Sequence, residues 1–203
     1  MHGAAIPSSG GDRRAVVMRG TFTTQRLRLA PVAEGDLEEL FALHADPRAF
    51  ADDLTAPLTE LAQMRWVLDQ WIRAWQQHGT GYLAVRARAS SDTALPPGLL
   101  GVVGLTLLEH EGRQTLSAYW RLTPAATGHG IATEAMDAVL THPRLGGTDR
   151  EVVAVTADAN RPSCALAARL GFGPAPPDRA IPGGRHGDIL LIRPPRGAPP
   201  RTP

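Results

Sequence analysis

The sequence contains no lysine, so all 21 of its basic residues are arginines. Because alanine, glycine and proline are also abundant, we interpret this as a coding bias rather than a functional feature. The 20 acidic residues nearly balance the arginines and leave a formal net charge of +1. A chain without a broad basic field is not expected to bind nucleic acid or an anionic membrane surface.

Cysteine is almost absent as well, since Cys164 is the only one. A single thiol excludes a disulfide within the chain and a metal cluster built on cysteines. No activating base stands near Cys164 in the sequence, so we interpret it as a small buried residue rather than a nucleophile. We therefore expect no metal and no covalent enzyme intermediate.

Long apolar runs are also missing. The longest, Gly98–Leu108, is too short to cross a membrane and is typical of a buried strand. The N-terminal segment holds an Arg-Arg pair but no apolar stretch long enough for the core of a signal peptide. These features favour a cytoplasmic protein, and 203 residues are enough for one domain with a substantial core.

Composition divides the chain into three segments. Residues 1–20 are rich in glycine, serine and arginine without periodicity, and residues 194–203 form a Pro/Arg tail. Both ends are predicted to be disordered. The domain is expected to occupy residues 21–193.

Within that domain, periodicity predicts the order strand, two helices, three strands, helix, strand, helix, strand. The second helix should be capped by Thr59 and end at Gly79, and Pro143 should stop the third. Hairpin-connected strands should pair antiparallel, whereas the strand–helix–strand unit at 115–158 requires a right-handed parallel crossover.

Two glycines one residue apart, Gly128 and Gly130, stand directly before a helical pattern in TGHGIATEA, Thr127–Ala135. Glycine costs backbone entropy on folding, so the pair needs a reason. One reason is a tight strand-to-helix turn. The other is a loop whose bare N–H groups, at a helix N-terminus, hold phosphates.

A second motif favours the phosphate-binding alternative. The segment SAYWRLTPAATGHGIATEA at 117–135 is followed by ADANRPSCALAARLGF at 157–172. In this order and spacing the two resemble the GCN5-related N-acetyltransferases (GNAT), in particular the RimJ/RimL-like branch. The segment TTQRLRLAP at 23–31 also resembles the first strand of that branch. The likeness spans residues 21–193 and implies an α+β fold. Its sheet would have six to seven mostly antiparallel strands, one parallel strand–helix–strand crossover, and helices on both faces.

The resemblance implies that acetyl-CoA is the cosubstrate, with succinyl-CoA as an alternative donor. The pyrophosphate would rest on backbone amides of the glycine loop, and the pantetheine arm would lie in a gap between the strand ending at Leu122 and the strand at 151–157. The implied cofactor-binding residues are Leu122, Thr127, Gly128, His129, Gly130, Ile131, Ala132, Asn160 and Ser163.

Two departures from the family pattern remove positive charge near those phosphates. Ala125 stands where the family often has Arg or Gln, and His129 stands where it often has Lys or Arg. A histidine is mostly neutral at pH 7, so both changes weaken the expected affinity while leaving the backbone seat intact. His129 either binds the phosphate or is a solvated residue that contributes only its N–H.

The leaving thiolate needs a proton, which many relatives supply from a tyrosine seven residues after the asparagine. That position is Ala167 here, so we look to Ser163, three residues after Asn160. Ser163 would hydrogen-bond the CoA sulfur and donate the proton second, or it simply satisfies a backbone donor in the first turn of a helix. Asn160 would bind pantetheine, cap that helix, or do both.

Candidates for acceptor chemistry are less defined. Tyr119 and Trp120 lie on opposite faces of a strand, so at most one is expected to face the acceptor pocket, and plain core packing is the alternative for either. The turn at 109–111 offers Glu109, His110 and Glu111 as candidate bases acting through water. Asp52 and Asp53, with nearby Asp46, form an acidic cluster that would attract a cationic amine or remain a solvated loop.

These residues favour an acyl-CoA-dependent N-acyltransferase acting on a primary amine, either a protein N-terminus or a small amine. The rival is a CoA-binding sensor or interaction module of the same fold that has lost catalysis. A hydrolase is a weaker alternative, because no nucleophile elbow is visible. We expect a monomer or a homodimer.

Overall fold

The computed structural model describes residues 20–89 and 95–197. The predicted disorder of residues 1–20 and 194–203 falls mostly outside these described residues. Within them, helices and strands alternate in the order that the sequence predicts, and a single sheet runs through the domain.

The strands are β1 (Phe22–Thr23), β2 (Leu27–Pro31), β3 (Tyr82–Ala87), β4 (Leu99–His110), β5 (Arg113–Leu122), β6 (Val152–Ala157), β7 (Gly173–Pro174) and β8 (Asp188–Arg193). The α-helices are α1 (Leu37–Ala45), α2 (Leu61–His78), α3 (Ile131–Thr141) and α4 (Arg161–Arg169). Short 3-10 turns cover Glu34–Asp36, Pro47–Phe50 and Pro124–Ala126.

The eight strands lie in the order β1-β2-β3-β4-β5-β6-β8-β7. We expected six to seven strands, and the difference comes from β1 and β7, which are two residues long. Elements that short show no readable alternation of apolar and polar residues. All neighbouring strands pair antiparallel except β5 and β6, which are parallel, so the predicted crossover is confirmed.

Helices cover both faces of the sheet, as predicted. On one face, Leu40 of α1 and Met64 of α2 pack against Ala84 and Val102. On the other, α3 and α4 pack against a cluster that includes Leu83 and Val103. Consecutive residues of β3 and β4 therefore point to opposite cores, which is the two-residue period of a strand.

The second helix begins slightly later than predicted. Its N-cap is Glu60 rather than Thr59: Glu60 has extended backbone angles directly before Leu61, and its amide donates to the side-chain oxygen of Gln63, three residues on. The helix ends as predicted at Gly79, whose φ of +66° favours glycine. No helix within residues 20–89 and 95–197 has both the length and the apolar character needed to cross a membrane.

The pairing of β5 with β6 is short, and this feature positions the site. Only Leu116 with Val152 and Ser117 with Val153 are in register. Beyond these residues both strands continue, β5 to Leu122 and β6 to Ala157, without pairing to each other. The sheet therefore splits at its centre.

Candidate functional site

A cavity of about 900 Å³ lies where β5 and β6 separate. Its lining comes from the loop after α1, the end of β5, the start of α3, the end of β6, the start of α4 and the loop before β8. The sheet is split here, so residues from both of its faces line one cavity. We refer below to its glycine-loop side (Gly128, residues 130–132, Asn160 and Ser163) and its arginine side (Asp53, Tyr119 and Arg121, with His44 buried behind them).

The glycine loop has the conformation that its sequence demands. Gly128 and Gly130 have φ angles of +78° and +73°, and Gly130 is the N-cap of α3. A Cβ atom at Gly128 would meet no other atom within 4 Å, so this part of the loop faces open space. The amides of the first helical turn have no intrahelical acceptor and carry the positive end of the helix dipole. The loop can therefore hold an anion through its backbone.

Two residues of this loop, Thr127 and His129, are less suited to bind a phosphate than the sequence predicts. The Thr127 amide donates to the Pro124 carbonyl at 3.3 Å, so it is already used within the turn. His129 does not line the cavity, and its Nδ1 donates to the Thr127 carbonyl at 2.7 Å. The anion-binding capacity of the loop thus rests mainly on Gly128 and on residues 130–132.

Arg26, directly before β2, reaches the loop from a segment about a hundred residues earlier. Its Nη1 donates to the His129 carbonyl at 3.0 Å, and its Nε donates to Glu134 Oε2 at 2.7 Å. The Glu134 carboxylate also accepts from the Arg26 amide and the Thr24 hydroxyl. Burial tends to raise the pKa of Glu134, but these hydrogen bonds outweigh it and hold the pKa below its ordinary value.

This contact joins the glycine loop to a distant part of the chain. Arg26, which directly precedes β2, brings a guanidinium beside a loop that has no Lys or Arg at positions 125 and 129, and the Glu134 carboxylate balances its charge. Sequence reasoning missed Arg26 because nothing local links it to the loop. The only available signal was that it belongs to the TTQRLRLAP stretch.

Asn160 and Ser163 divide two tasks at the start of α4. Asn160 Oδ1 accepts from the Ser163 amide at 3.0 Å, which makes Asn160 the N-cap. The Ser163 hydroxyl instead accepts from the Trp120 indole Nε1 at 3.2 Å. Both residues line the cavity together with Leu122. The Ser163 side chain is therefore not the helix cap, which was its alternative role.

On the arginine side, Arg121 is the centre of a hydrogen-bond network. Its Nε donates to the Tyr119 hydroxyl at 2.9 Å, its Nη2 to Asp53 Oδ2 at 2.5 Å, and its Nη1 to the Ala49 carbonyl. The guanidinium also stacks on Phe50, with its carbon 3.7 Å from the ring centroid. These contacts hold the loop after α1 against β5.

His44 completes this network from α1. Its Nδ1 lies 2.8 Å from the Leu40 carbonyl and its Nε2 lies 3.1 Å from the Tyr119 hydroxyl. Burial lowers the pKa of His44 to about 4, with a further lowering by the charge of Arg121, so the ring is neutral at pH 7. Burial likewise raises the pKa of Tyr119, which stays a phenol. No sequence motif marked His44 or Arg121.

Tyr119 and Trp120 both line the cavity, although they lie on opposite faces of β5. Because the Trp120 indole donates to Ser163 on the glycine-loop side and Tyr119 belongs to the arginine side, the expectation that at most one of them faces the acceptor pocket stays a prediction. At the split the cavity is open to both faces, so consecutive residues reach it from either side of the strand.

Glu109 lies elsewhere. It is exposed near the β4–β5 hairpin, opposite Gln114, and does not line the cavity. Its neighbours hold the loop before β8: His110 Nε2 donates to the Ala180 carbonyl at 3.0 Å, and Glu111 lies 3.5 Å from Arg179. The structure therefore does not support Glu109 as a base.

The remaining candidates separate in the same way. Asp52 and Asp53 line the cavity, whereas Asp46 pairs with Arg48 and caps the 3-10 turn at Pro47–Phe50. Cys164 is partly buried outside the lining, with its Sγ 3.9 Å from the Ala157 carbonyl. Among the described residues, no group of three or more His, Cys, Asp or Glu side chains is arranged to hold a metal ion.

Comparisons with known proteins agree with this geometry. The chain matches the family model described as acetyltransferase (GNAT) domain over residues 26–173. A GNAT-family acetyltransferase from Bordetella pertussis is 27% identical, covers 86% of this chain and 99% of its own, and superposes with a TM-score of 0.67. The comparison with curated proteins finds no match.

Two other solved structures share the fold at lower identity. The Salmonella typhimurium acetyltransferase that modifies the N-terminal serine of ribosomal protein L7/L12 is 19% identical, with a TM-score of 0.64 over 84% of this chain and 96% of its own. A spermidine N-acetyltransferase from Vibrio cholerae, in complex with CoA and spermine, is 15% identical, with a TM-score of 0.61 over 83% and 95%. The match to the family model, the split sheet and the glycine loop show that this chain belongs to the GNAT acetyltransferase family.

Proposed function

We propose that the protein transfers the acetyl group of acetyl-CoA to a primary amine. The observation that carries this proposal is one cavity lined by both the glycine-loop side and the arginine side. A donor bound on the first side and an acceptor bound on the second meet where β5 and β6 separate. Holding two reactants in one site removes much of the entropic barrier to their reaction, which favours direct transfer.

The glycine-loop side fits the donor. Backbone amides at residues 130–132 and the dipole of α3 suit a pyrophosphate, and Arg26 holds the loop through the His129 carbonyl while its own charge is paired with Glu134. The gap between β5 and β6 suits an extended pantetheine arm, with Leu122 and Asn160 along its walls. The CoA in the Vibrio cholerae structure supports this assignment.

Ser163 is suited to assist the departing sulfur. In direct transfer the amine nitrogen forms a bond to the thioester carbon and loses one proton, while the C–S bond breaks and the sulfur keeps the electron pair and takes up a proton to leave as the free thiol. The Trp120 indole can only donate, so it occupies a lone pair of Ser163 Oγ and leaves the O–H bond free to point elsewhere. A hydroxyl held in this way can donate to the sulfur as negative charge develops on it.

The arginine side fits an amine acceptor. The carboxylates of Asp52 and Asp53 line the cavity and can accept hydrogen bonds from an amine, with Asp53 held in place by its ion pair with Arg121. Relatives of the same fold act on an N-terminal serine and bind spermine, which are both amines. We therefore assign the acceptor to protein N-termini or small amines.

The experiment is a panel of amines offered with acetyl-CoA or succinyl-CoA, followed by free thiol release and by the mass of the acceptor. The panel contains spermidine, an amino acid, an aminoglycoside, and a short peptide with an N-terminal serine. The same peptide with a blocked N-terminus is the matched control. We expect thiol release that depends on a free amine and on acetyl-CoA.

One observation favours a second candidate, a CoA-binding module without catalysis. Ala167, at the position where many relatives carry a tyrosine acid, is 1% exposed and belongs to the core. Acetyl-CoA binding without thiol release for any amine on the panel would support that module and contradict the enzyme.

A further inference from the structure

The contacts of the Tyr119 hydroxyl determine the direction in which it donates its proton. The Leu40 carbonyl next to His44 Nδ1 can only accept, so Nδ1 carries the hydrogen of the neutral ring. His44 Nε2 then presents a lone pair, and the Tyr119 hydroxyl 3.1 Å away must donate to it. The direction of this hydrogen bond is fixed by a backbone carbonyl that cannot donate.

Arg121 fixes the same hydroxyl from another direction. Its Nε–H can only donate, so at 2.9 Å it occupies a lone pair of the Tyr119 oxygen. The Tyr119 proton is thus directed into the protein, toward His44. The capacity left to the Tyr119 oxygen is a second lone pair, and Tyr119 is one of the residues that line the cavity.

A second acceptor lies beside it. Asp53 Oδ2 accepts from Arg121 Nη2, and the Nε and Nη2 hydrogens point from the same edge of the planar guanidinium. The Tyr119 oxygen and the Asp53 carboxylate therefore sit next to each other. Three of the five N–H groups of Arg121 are used on Tyr119, Asp53 and Ala49, and the Tyr119 oxygen and the Asp53 carboxylate are the neighbouring acceptors that this guanidinium holds in place.

We propose that the Tyr119 oxygen and the Asp53 carboxylate bind the N–H groups of the acceptor amine, and that His44 is a positioning residue that holds Tyr119 in its accepting state. This inference rests on the proposed function, since it names where the amine of that reaction binds. An amine supplies two or more N–H donors to two neighbouring acceptors, which a carboxylate or a carbonyl compound cannot do. Under this proposal Tyr119 is not the acid for the leaving sulfur, because its hydroxyl proton is donated to His44.

The first test separates amine binding from donor binding. Tyr119→Phe removes the hydroxyl, and we expect about a tenfold rise in KM for the amine with an unchanged Kd for acetyl-CoA. Tyr82→Phe is the matched control, because Tyr82 packs against Tyr119 with ring centroids 5.2 Å apart but does not line the cavity. An unchanged KM in Tyr119→Phe overturns the inference.

The second test asks whether His44 acts through Tyr119. Glutamine at position 44 can offer an oxygen near the place of Nε2, so His44→Gln should keep a KM close to wild type. Leucine offers no acceptor and frees the Tyr119 proton to turn toward the amine, so His44→Leu should raise KM about tenfold. An equal rise in both variants overturns the positioning role, since a purely structural histidine makes no such distinction.

A third measurement needs no turnover. Nitrogen-15 NMR of the His44 ring at neutral pH should show the hydrogen on Nδ1, and a changed Nε2 shift in Tyr119→Phe. A hydrogen on Nε2 overturns the inference while leaving the proposed function intact. A wild-type protein that releases no thiol with any amine overturns the proposed function itself, and the inference with it.

Discussion

The two sides of the cavity are built in different ways. The glycine-loop side uses backbone groups and side chains that are close in the chain, such as Asn160 and Ser163, three residues apart. The arginine side uses side chains that only folding brings together: His44 and Tyr119 are 75 residues apart, and Asp53 and Arg121 are 68 apart. A donor common to a whole family can be recognised by a local motif, whereas this acceptor wall leaves no contiguous trace in the sequence.

The difference also concerns charge. On the glycine-loop side an anion would be held by amide dipoles, and Arg26 contacts the loop by donating to the His129 carbonyl. On the arginine side, charged and titratable groups are partly buried and satisfy one another, so the balance of charge there depends on every partner. The two sides should therefore respond differently to mutation and to pH.

The largest effect is expected from His44 on the arginine side. The burial that lowers its pKa to about 4 makes the unfolded state, with a pKa near 6.5, take up a proton first as the pH falls. The free energy of unfolding is thus unaffected by His44 above pH 6.5 and decreases between pH 6.5 and about 4, by about 3 kcal/mol in all. Urea unfolding at pH 7 and pH 4 should show that the free energy of unfolding decreases less in His44→Gln than in the wild type.

The exposed His186 provides the control for that experiment. His186→Gln should keep the pH dependence of the wild type. If His44→Gln loses as much stability on acidification as the wild type does, His44 is not the group responsible, and the contrast in pH response between the two sides fails.

Ser163 on the glycine-loop side should give the next largest effect, and on rate rather than stability. A charge-assisted hydrogen bond to the departing sulfur contributes roughly 1.5–3 kcal/mol, so Ser163→Ala should lower kcat about 10- to 150-fold. Acetyl-CoA affinity should remain nearly unchanged, because the interaction strengthens only in the transition state.

Ser117→Ala on β5 is the matched control, since Ser117 does not line the cavity. Steady-state kinetics and melting temperature are measured on one preparation of each variant. A normal kcat with a lowered melting temperature in Ser163→Ala would remove Ser163 from the chemistry.

Gly130 tests whether the loop backbone holds the donor. Valine is strained at a φ of +73°, so Gly130→Val should displace the amides at the start of α3. We expect acetyl-CoA affinity to fall at least tenfold, about 1.4 kcal/mol. Gly79→Val carries the same kind of strain at a φ of +66° outside the cavity and should bind acetyl-CoA normally in calorimetry. Equal affinities in the two variants would contradict a backbone seat.

The smallest effect is expected at Cys164, which belongs to neither side. Direct transfer needs no enzyme thiol, and the sulfur lies outside the cavity lining. Cys164→Ala should keep most of the turnover, and wild type should form no labelled adduct with radioactive acetyl-CoA. A stable acyl-enzyme that disappears in this variant would overturn direct transfer.

The sequence was sufficient for the class of fold and for the residues that mark the family. Strand alternation and helical periodicity predicted the long elements, and the strand–helix–strand unit at 115–158 predicted the one parallel pair. The errors fell on elements with weak local signals. Two-residue strands show too little alternation to be predicted, the cap that the sequence suggests at Thr59 is provided by Glu60, and Glu109 lies at the end of its strand away from the cavity.

By itself, the sequence determined what depends on neighbouring residues: the helices and long strands, the left-handed conformations that Gly128 and Gly130 permit, and the Asn160 cap of α4. Tertiary structure decided the rest. The split between β5 and β6 exposes both Tyr119 and Trp120 to one cavity. The partners of Arg26, His44 and Arg121 come from distant segments, and hydrogen-bond direction, burial and pKa are properties of those contacts rather than of any residue alone.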